Sequence, residues 1–200
     1  TYDFAYMNPY HFVVFNSSPG YRALAKQKDK EILGIIVTHK TSEIESIKQL
    51  SGKEIAFPSP GAFAASMLPR GSLLKAGVDF KPIYVSSHDS VYKAVSKGFF
   101  VAGGGIVRTL KNTYKNTRDN VRILWKSPGY TPHAFAVNPI VPNTIAISFQ
   151  QALIDVINDD DGTVILGNLS MPKGFVKAED KDWKDVRELN IIELDSINIE

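Results

Sequence analysis

The stretch Ala56-Phe57-Pro58-Ser59-Pro60-Gly61-Ala62-Phe63-Ala64-Ala65-Ser66 joins two kinds of local structure. Before it, residues 53–57 (KEIAF) alternate in polarity as a strand does and stop at Pro58. After it, the alanine-rich run from Ala62 predicts a helix, with Ser59 as N-cap and Pro60 at the first helical position. A helix start has backbone N–H groups without intrahelical acceptors and a partial positive charge, so it can hold an anion without Lys or Arg. Gly61 and Ala62 have no bulk to keep an oxyanion from the backbone. The Ser59 hydroxyl is placed to cap the helix or to donate to an anion. Two readings follow from these residues alone: a turn that grips a small oxyanion, or an ordinary capped strand–helix turn.

From this point outward the pattern is strand–helix alternation. Strands are predicted at 80–85, 100–102 and 121–125, and helices at 62–76, 88–97 and 106–114, with Pro69 and Gly71 expected to bend or break the first helix. Such alternation implies crossover helices and a mostly parallel sheet. Upstream, residues 3–7 read as a strand and Asn8-Pro9 as the cap and first residue of a helix reaching about residue 15. Residues 21–27 and 31–38 read as an antiparallel strand pair around Lys28-Asp29-Lys30, and 42–50 as a short amphipathic helix. Downstream come a strand at 133–137, a long helix at 143–157, a short helix at 162–169, a surface helix at 180–189, and a strand or tail at 191–200.

Residues 53–125 can form an α/β unit of their own, so the flanking segments belong to a second unit. The chain then crosses twice, near 38–41 and near 127–132, giving a first unit of residues 1–38 with 133–200 and a second of 39–132.

Composition excludes several functions. Lys+Arg 23 against Asp+Glu 21 leaves a net charge of +2 and no polybasic stripe, which argues against nucleic acid or an anionic membrane surface as partner. The absence of cysteine rules out disulfides, thiol catalysis and cysteine-based zinc sites. Four isolated histidines show no metal-binding spacing, and no apolar run is long enough for a membrane span. The chain opens directly on an apparent core strand, which suggests that sequence precedes residue 1.

The ordered set Met7-Asn8-Pro9-Tyr10, Phe57–Ser66, Ser87-His88-Asp89-Ser90-Val91 and Ala102-Gly103-Gly104-Gly105 resembles the phosphate/phosphite/phosphonate-binding proteins of bacterial ABC transporters. The similarity runs over roughly residues 3–189. It implies a type II periplasmic-binding-protein fold, α/β with two lobes and mostly parallel sheets, whose first lobe lacks its N-terminal part here. It also implies an extracytoplasmic location and delivery of a small oxyanion to a membrane permease. By motif matching, the ligand contacts are the Tyr10 hydroxyl from lobe one, Ser59 with the amides of Gly61, Ala62 and Phe63, and His88 capping its helix. Arg108 stands near a position that is acidic in relatives holding an aminoalkyl group, so it disfavours an ammonium and suits a second anionic group. No catalytic residue, metal or cofactor is expected. His88 and Ser66 lack a G-x-S-x-G elbow, and the glycine triplet lacks the G-x-G-x-x-G spacing of a nucleotide loop. Two other outputs share the fold: the sensor domain of a membrane receptor, and an enzyme acting on a phosphorylated metabolite.

Overall fold

The computed structural model describes residues 2–189. In chain order its elements are β1 (Phe4–Met7), α1 (Pro9–Ser17), β2 (Arg22–Gln27), β3 (Ile35–His39), β4 (Lys53–Phe57), a wide helical turn (Phe63–Met67), α2 (Leu68–Lys75), β5 (Phe80–Tyr84) and α3 (His88–Ser96). There follow β6 (Ala102–Gly105), α4 (Val107–Asn112), α5 (Lys115–Asp119), β7 (Val121–Lys126), β8 (Ala134–Val137), α6 (Asn143–Asp155), α7 (Asp160–Asn168), β9 (Phe175–Lys177) and α8 (Lys184–Arg187). The chain forms two compact units, one running up to Ile32 and resuming at Tyr130–Leu189, the other comprising Leu33–Gly129.

The first unit holds the sheet β1-β8-β2-β9, in which every pairing is antiparallel. Leu24, Val137, Val141 and Ala146 form one core cluster under α6, and Ala25, Leu166 and Phe175 another beside α7. Helix α1 starts as its sequence predicts: Asn8 Oδ1 accepts the His11 N–H at 2.9 Å, and Pro9 opens the helix. Its inner face is set by Phe12, fully buried and 4.5 Å from the Trp183 ring. Burying a phenylalanine contributes about 1.5–3 kcal/mol, so this contact anchors the helix that carries Tyr10. Trp183 in turn donates its indole N–H to Pro132 O at 2.8 Å. The predicted surface helix at 180–189 is therefore two short helical segments, Asp180–Trp183 and α8, pinned by a buried tryptophan.

The second unit holds the sheet β5-β4-β6-β3-β7. β4 runs parallel to β5 and β6, whereas β3 is antiparallel to both of its neighbours, β6 and β7. It follows that β4, β5, β6 and β7 share one direction and β3 opposes them. The mostly parallel arrangement thus describes the second sheet and is corrected for the first. Ile35, Val37, Ala56, Val91, Tyr92 and Val95 pack on one face, while Ile36, Ile55, Phe57, Leu73 and Val78 pack on the other.

Other expectations change with the tertiary pairing. Strands β2 and β3 are not a hairpin: β2 pairs with β8 and β9, and β3 enters the middle of the other sheet. The first crossing therefore falls at residues 32–33 rather than 38–41, and the second at 129–130. Residues 42–50 form only a short helical turn, Ile47–Leu50, which Leu50 pins into the core. The glycine triplet is itself strand β6, displaced from the predicted 100–102. Residues 191–200 lie outside the described residues.

Candidate functional site

Because β5, β4 and β6 are parallel neighbours, their carboxyl ends meet at one edge of the second unit. β4 leads into the Pro58–Phe63 turn, β5 into Ser86-Ser87-His88, and β6 into Ile106 and Arg108. Ser59, Gly61, Ala62, Phe63, His88 and Arg108 therefore follow the strand ends of a single edge. Tyr10 belongs to the other unit, half-buried in the first turn of α1, with its ring 5.9 Å from that of His11.

The helix after β4 does not start at Ser59. A residue before proline is held extended, and the Ser59 carbonyl accepts the Ala62 N–H at 3.4 Å, closing a turn with Pro60 and Gly61 in its middle. Ala62 is the cap residue, and no side chain caps this end. The first helical bonds run from the Ser66 and Met67 N–H groups to Ala62 O, at 2.8 and 3.1 Å, and from the Leu68 N–H to Phe63 O. This is a wide, i to i+5 register placed just before Pro69, which has no N–H to offer a regular helix. The predicted disturbance at Pro69 is thus absorbed one turn upstream. The N–H groups of Ala64 and Ala65 precede the helical ladder, and the Ser59 side chain is exposed beside them.

Glycines seat this turn on the sheet. A Cβ on Gly34 would stand 2.2 Å from Ala64 O, and one on Gly104 would stand 2.0 Å from Ala65 O and 2.6 Å from the Phe57 ring. On the opposite face, a Cβ on Gly103 would meet Val91 at 2.4 Å and one on Gly105 would meet the Tyr92 hydroxyl at 2.3 Å. The triplet lets the turn and α3 both approach β6 closely. The Tyr92 hydroxyl also fixes the start of α4: it lies 3.0 Å from both the N–H and the carbonyl of Ile106, and 2.7 Å from Thr109 Oγ1.

Ser87, not His88, caps α3; its hydroxyl accepts the Ser90 N–H at 3.0 Å. His88 is the first helical residue, half-buried, and its Nδ1 is buried without a hydrogen-bond partner. Burial pushes its pKa below the ordinary histidine value; Asp89 pulls it up and Arg108 pushes it down. The ring is therefore neutral at pH 7 and retains one N–H to donate. Arg108 itself is exposed, on α4. Among the described residues, no group of three His, Cys, Asp or Glu side chains is arranged to hold a metal ion.

A further set escapes sequence reasoning. Ser66 is fully buried and its hydroxyl has no hydrogen-bond partner, and Arg70, one helical turn later, is only 2% exposed. The Arg70 guanidinium lies 6.0 Å from the Tyr84 ring at the end of β5. Desolvating a guanidinium costs several kcal/mol, and a cation–π contact offsets about 0.5–2 kcal/mol of it. The available signal was an arginine one turn from a serine in a helix otherwise rich in Ala, Leu and Met.

The sequence matches, over residues 1–183, the family model described as "ABC transporter, phosphonate, periplasmic substrate-binding protein". The chain belongs to that family. Among curated protein sequences none matches this chain. Several solved structures have the same fold as this phosphonate-transporter binding protein. PhnD1 from Prochlorococcus marinus (MIT 9301), in complex with methylphosphonate, is 23% identical at a TM-score of 0.79, over 96% of this chain and 78% of that one. XAC2383 from Xanthomonas citri, bound to chloride ion, is 14% identical at a TM-score of 0.83, over 97% and 78%. PA3383 from Pseudomonas aeruginosa, a binding protein component of an ABC phosphonate transporter, is 13% identical at 0.77, over 96% and 68%. These likenesses give the α/β type II periplasmic-binding-protein fold that the resemblance implied. The family is one of transporter substrate-binding proteins. Among the described residues no helix is long and apolar enough to cross a membrane.

Proposed function

We propose that this binding protein takes a small phosphorus oxyanion (phosphate, phosphite or a phosphonate) outside the cytoplasm and delivers it to the permease of an ABC transporter. The observation that supports the ligand class is the helix entrance at 62–65, which presents backbone N–H groups at the same strand edge as His88 and Arg108. The N–H groups of Gly61, Phe63, Ala64 and Ala65 with the Ser59 hydroxyl would hold the anion's oxygens, that of Ala62 being taken by the Ser59 carbonyl, and a neutral His88 would donate one hydrogen bond. Tyr10, from the first unit, would contribute its hydroxyl. Hydrogen bonds to a charged group contribute about 1.5–3 kcal/mol each, so four of them supply about 6–12 kcal/mol before the costs of association. Micromolar affinity needs about 8 kcal/mol. Arg108 favours a ligand without an ammonium group, so aminoethylphosphonate should bind weakly.

A thermal-shift panel tests this, with phosphate, phosphite, methylphosphonate, aminoethylphosphonate and sulfate. A ligand at 100 times its Kd should add about 2.7 kcal/mol. Stabilisation by a phosphorus oxyanion that is lost in His88→Ala is the expected result. A folded protein that responds to no oxyanion would refute the proposal.

A further inference from the structure

The outer side of α3 in the second unit borders a cavity that the oxyanion reading does not use. Within α3 the apolar residues Val91, Tyr92 and Val95 face the core, which turns Asp89, Lys93 and Lys97, spaced one helical turn apart, outward along a single stripe. Those three residues line one wall of a cavity of about 440 Å³, and Thr113, Tyr114 and Asn116 line the other. That volume falls in the range of small-molecule sites, about 300–1,000 Å³. Among the described residues neither Lys93 nor Lys97 forms an ion pair, although their neighbouring ammonium groups repel one another. Tyr114 is 82% exposed, yet it stands on a well-tied corner. Its carbonyl accepts the Arg118 N–H at 2.9 Å, and the Arg118 guanidinium donates to Lys111 O at 2.7 Å. Asn120, which also lines the cavity, donates its Nδ2 to Asn116 O at 2.9 Å and to Asn116 Oδ1 at 3.3 Å. The Asn116 Nδ2 and the Asn120 Oδ1 then remain as a donor and an acceptor for a ligand.

We propose that this cavity is a second binding site, for an acidic sugar. The sugar lays its apolar C–H face on the Tyr114 ring, and its carboxylate falls between Lys93 and Lys97. Its hydroxyls exchange hydrogen bonds with Asn116 and Asn120 and donate to Asp89, which can only accept. Asp89 repels a carboxylate, so the acid end of the sugar points toward the C-terminal half of α3. An acidic peptide would pair with the lysines but leave the Tyr114 face unused. The site is independent of the oxyanion reading.

Amide NMR titration of the whole chain tests this with methyl glucuronide, which carries a carboxylate, and methyl glucoside, its neutral counterpart. The glucuronide should shift signals from residues 89–97 and 113–120 and bind about five- to tenfold more tightly than the glucoside. The double variant Lys93→Gln, Lys97→Gln should erase that preference. Tyr114→Ala should weaken both sugars about threefold or more. Lys75→Gln, at an exposed lysine outside the cavity, should change neither. All of these positions are exposed, so the variants keep the fold. Equal binding of the two sugars, shifts confined to other residues, or no shift at about 20 mM glucuronide would each overturn the inference. So would triglutamate binding as tightly as the glucuronide and indifferently to Tyr114→Ala, which would assign the cavity to an acidic peptide. Saturating methylphosphonate should leave glucuronide binding unchanged, and competition between them would place the sugar at the strand edge and overturn the second site. A protein that binds the glucuronide here but no phosphorus oxyanion would overturn the oxyanion reading alone.

Discussion

Gly104→Ala is the most direct test of how the proposed anion turn is held. The new Cβ would lie 2.0 Å from Ala65 O and 2.6 and 2.8 Å from two carbon atoms of the Phe57 ring. Those separations are far inside contact distance, and the first partner is backbone, which cannot step aside as a side-chain end can. Phe57 is fully buried between strands and helix, so the ring has no vacant space to enter. Overpacking a well-filled core costs about 1–3 kcal/mol, and a backbone clash places this variant at about 3. The strain is relieved only by lifting the 63–67 turn from β6, which moves the amides of Ala64 and Ala65 away from the strand edge that His88 also follows. Gly167→Ala is the matched control. Gly167 lies in α7, its Cβ would meet nothing within 4 Å, and its backbone is not in the left-handed region. It should stabilise by about 0.4–1 kcal/mol. Urea denaturation of both variants reads the stability, and titration with methylphosphonate reads the site. Gly104→Ala should lose both stability and affinity. A Gly104→Ala protein that unfolds within about 0.5 kcal/mol of wild type, about the spread of innocuous substitutions, would refute the reasoning that this turn is seated on β6.

Two other outcomes follow from the same edge. Tyr92→Phe keeps the packed ring and removes the hydroxyl that accepts the Ile106 N–H; Thr109 Oγ1 still donates to Ile106 O at 3.1 Å, so the orphan is the amide, at a cost of about 1–3 kcal/mol. Faster hydrogen exchange at Ile106 checks it, and unchanged protection would contradict the role given to that hydroxyl. His88 should titrate below the ordinary histidine pKa because burial disfavours its charged form. Between that lowered value and about 6.5 the unfolded chain binds more protons than the folded one, so stability rises with pH across this window and is level above it. Imidazole NMR signals report the midpoint. An oxyanion bound beside the ring should raise that midpoint, and one unmoved by saturating methylphosphonate would separate His88 from the ligand.

What the sequence determined by itself is the part of the structure decided within a few residues. The Asn8-Pro9 start of α1 was legible because a cap bonds an amide three residues ahead. Strands β4, β5, β7 and β8 were legible because short apolar-rich runs bounded by turn residues mark strands. The strand–turn–helix order that carries the proposed site was legible in outline, since Pro, Ser and Gly at 58–61 interrupt the strand pattern ahead of a helix-forming run. The tertiary structure decided what depends on distant partners. Local alternation makes residues 21–27 and 31–38 equally good strands but does not say that β3 pairs with Gly103–Gly105 and Val121–Lys126 instead of with β2. The glycine triplet reads locally as a loop, and it becomes a strand because the turn, Phe57 and Tyr92 crowd both of its faces. The helix start moved from Ser59 to Phe63 because that turn had to settle on Gly34 and Gly104. The burial of Arg70 had no local signature, because whether a charged side chain lies in water or in the interior depends on what the remaining chain packs over it.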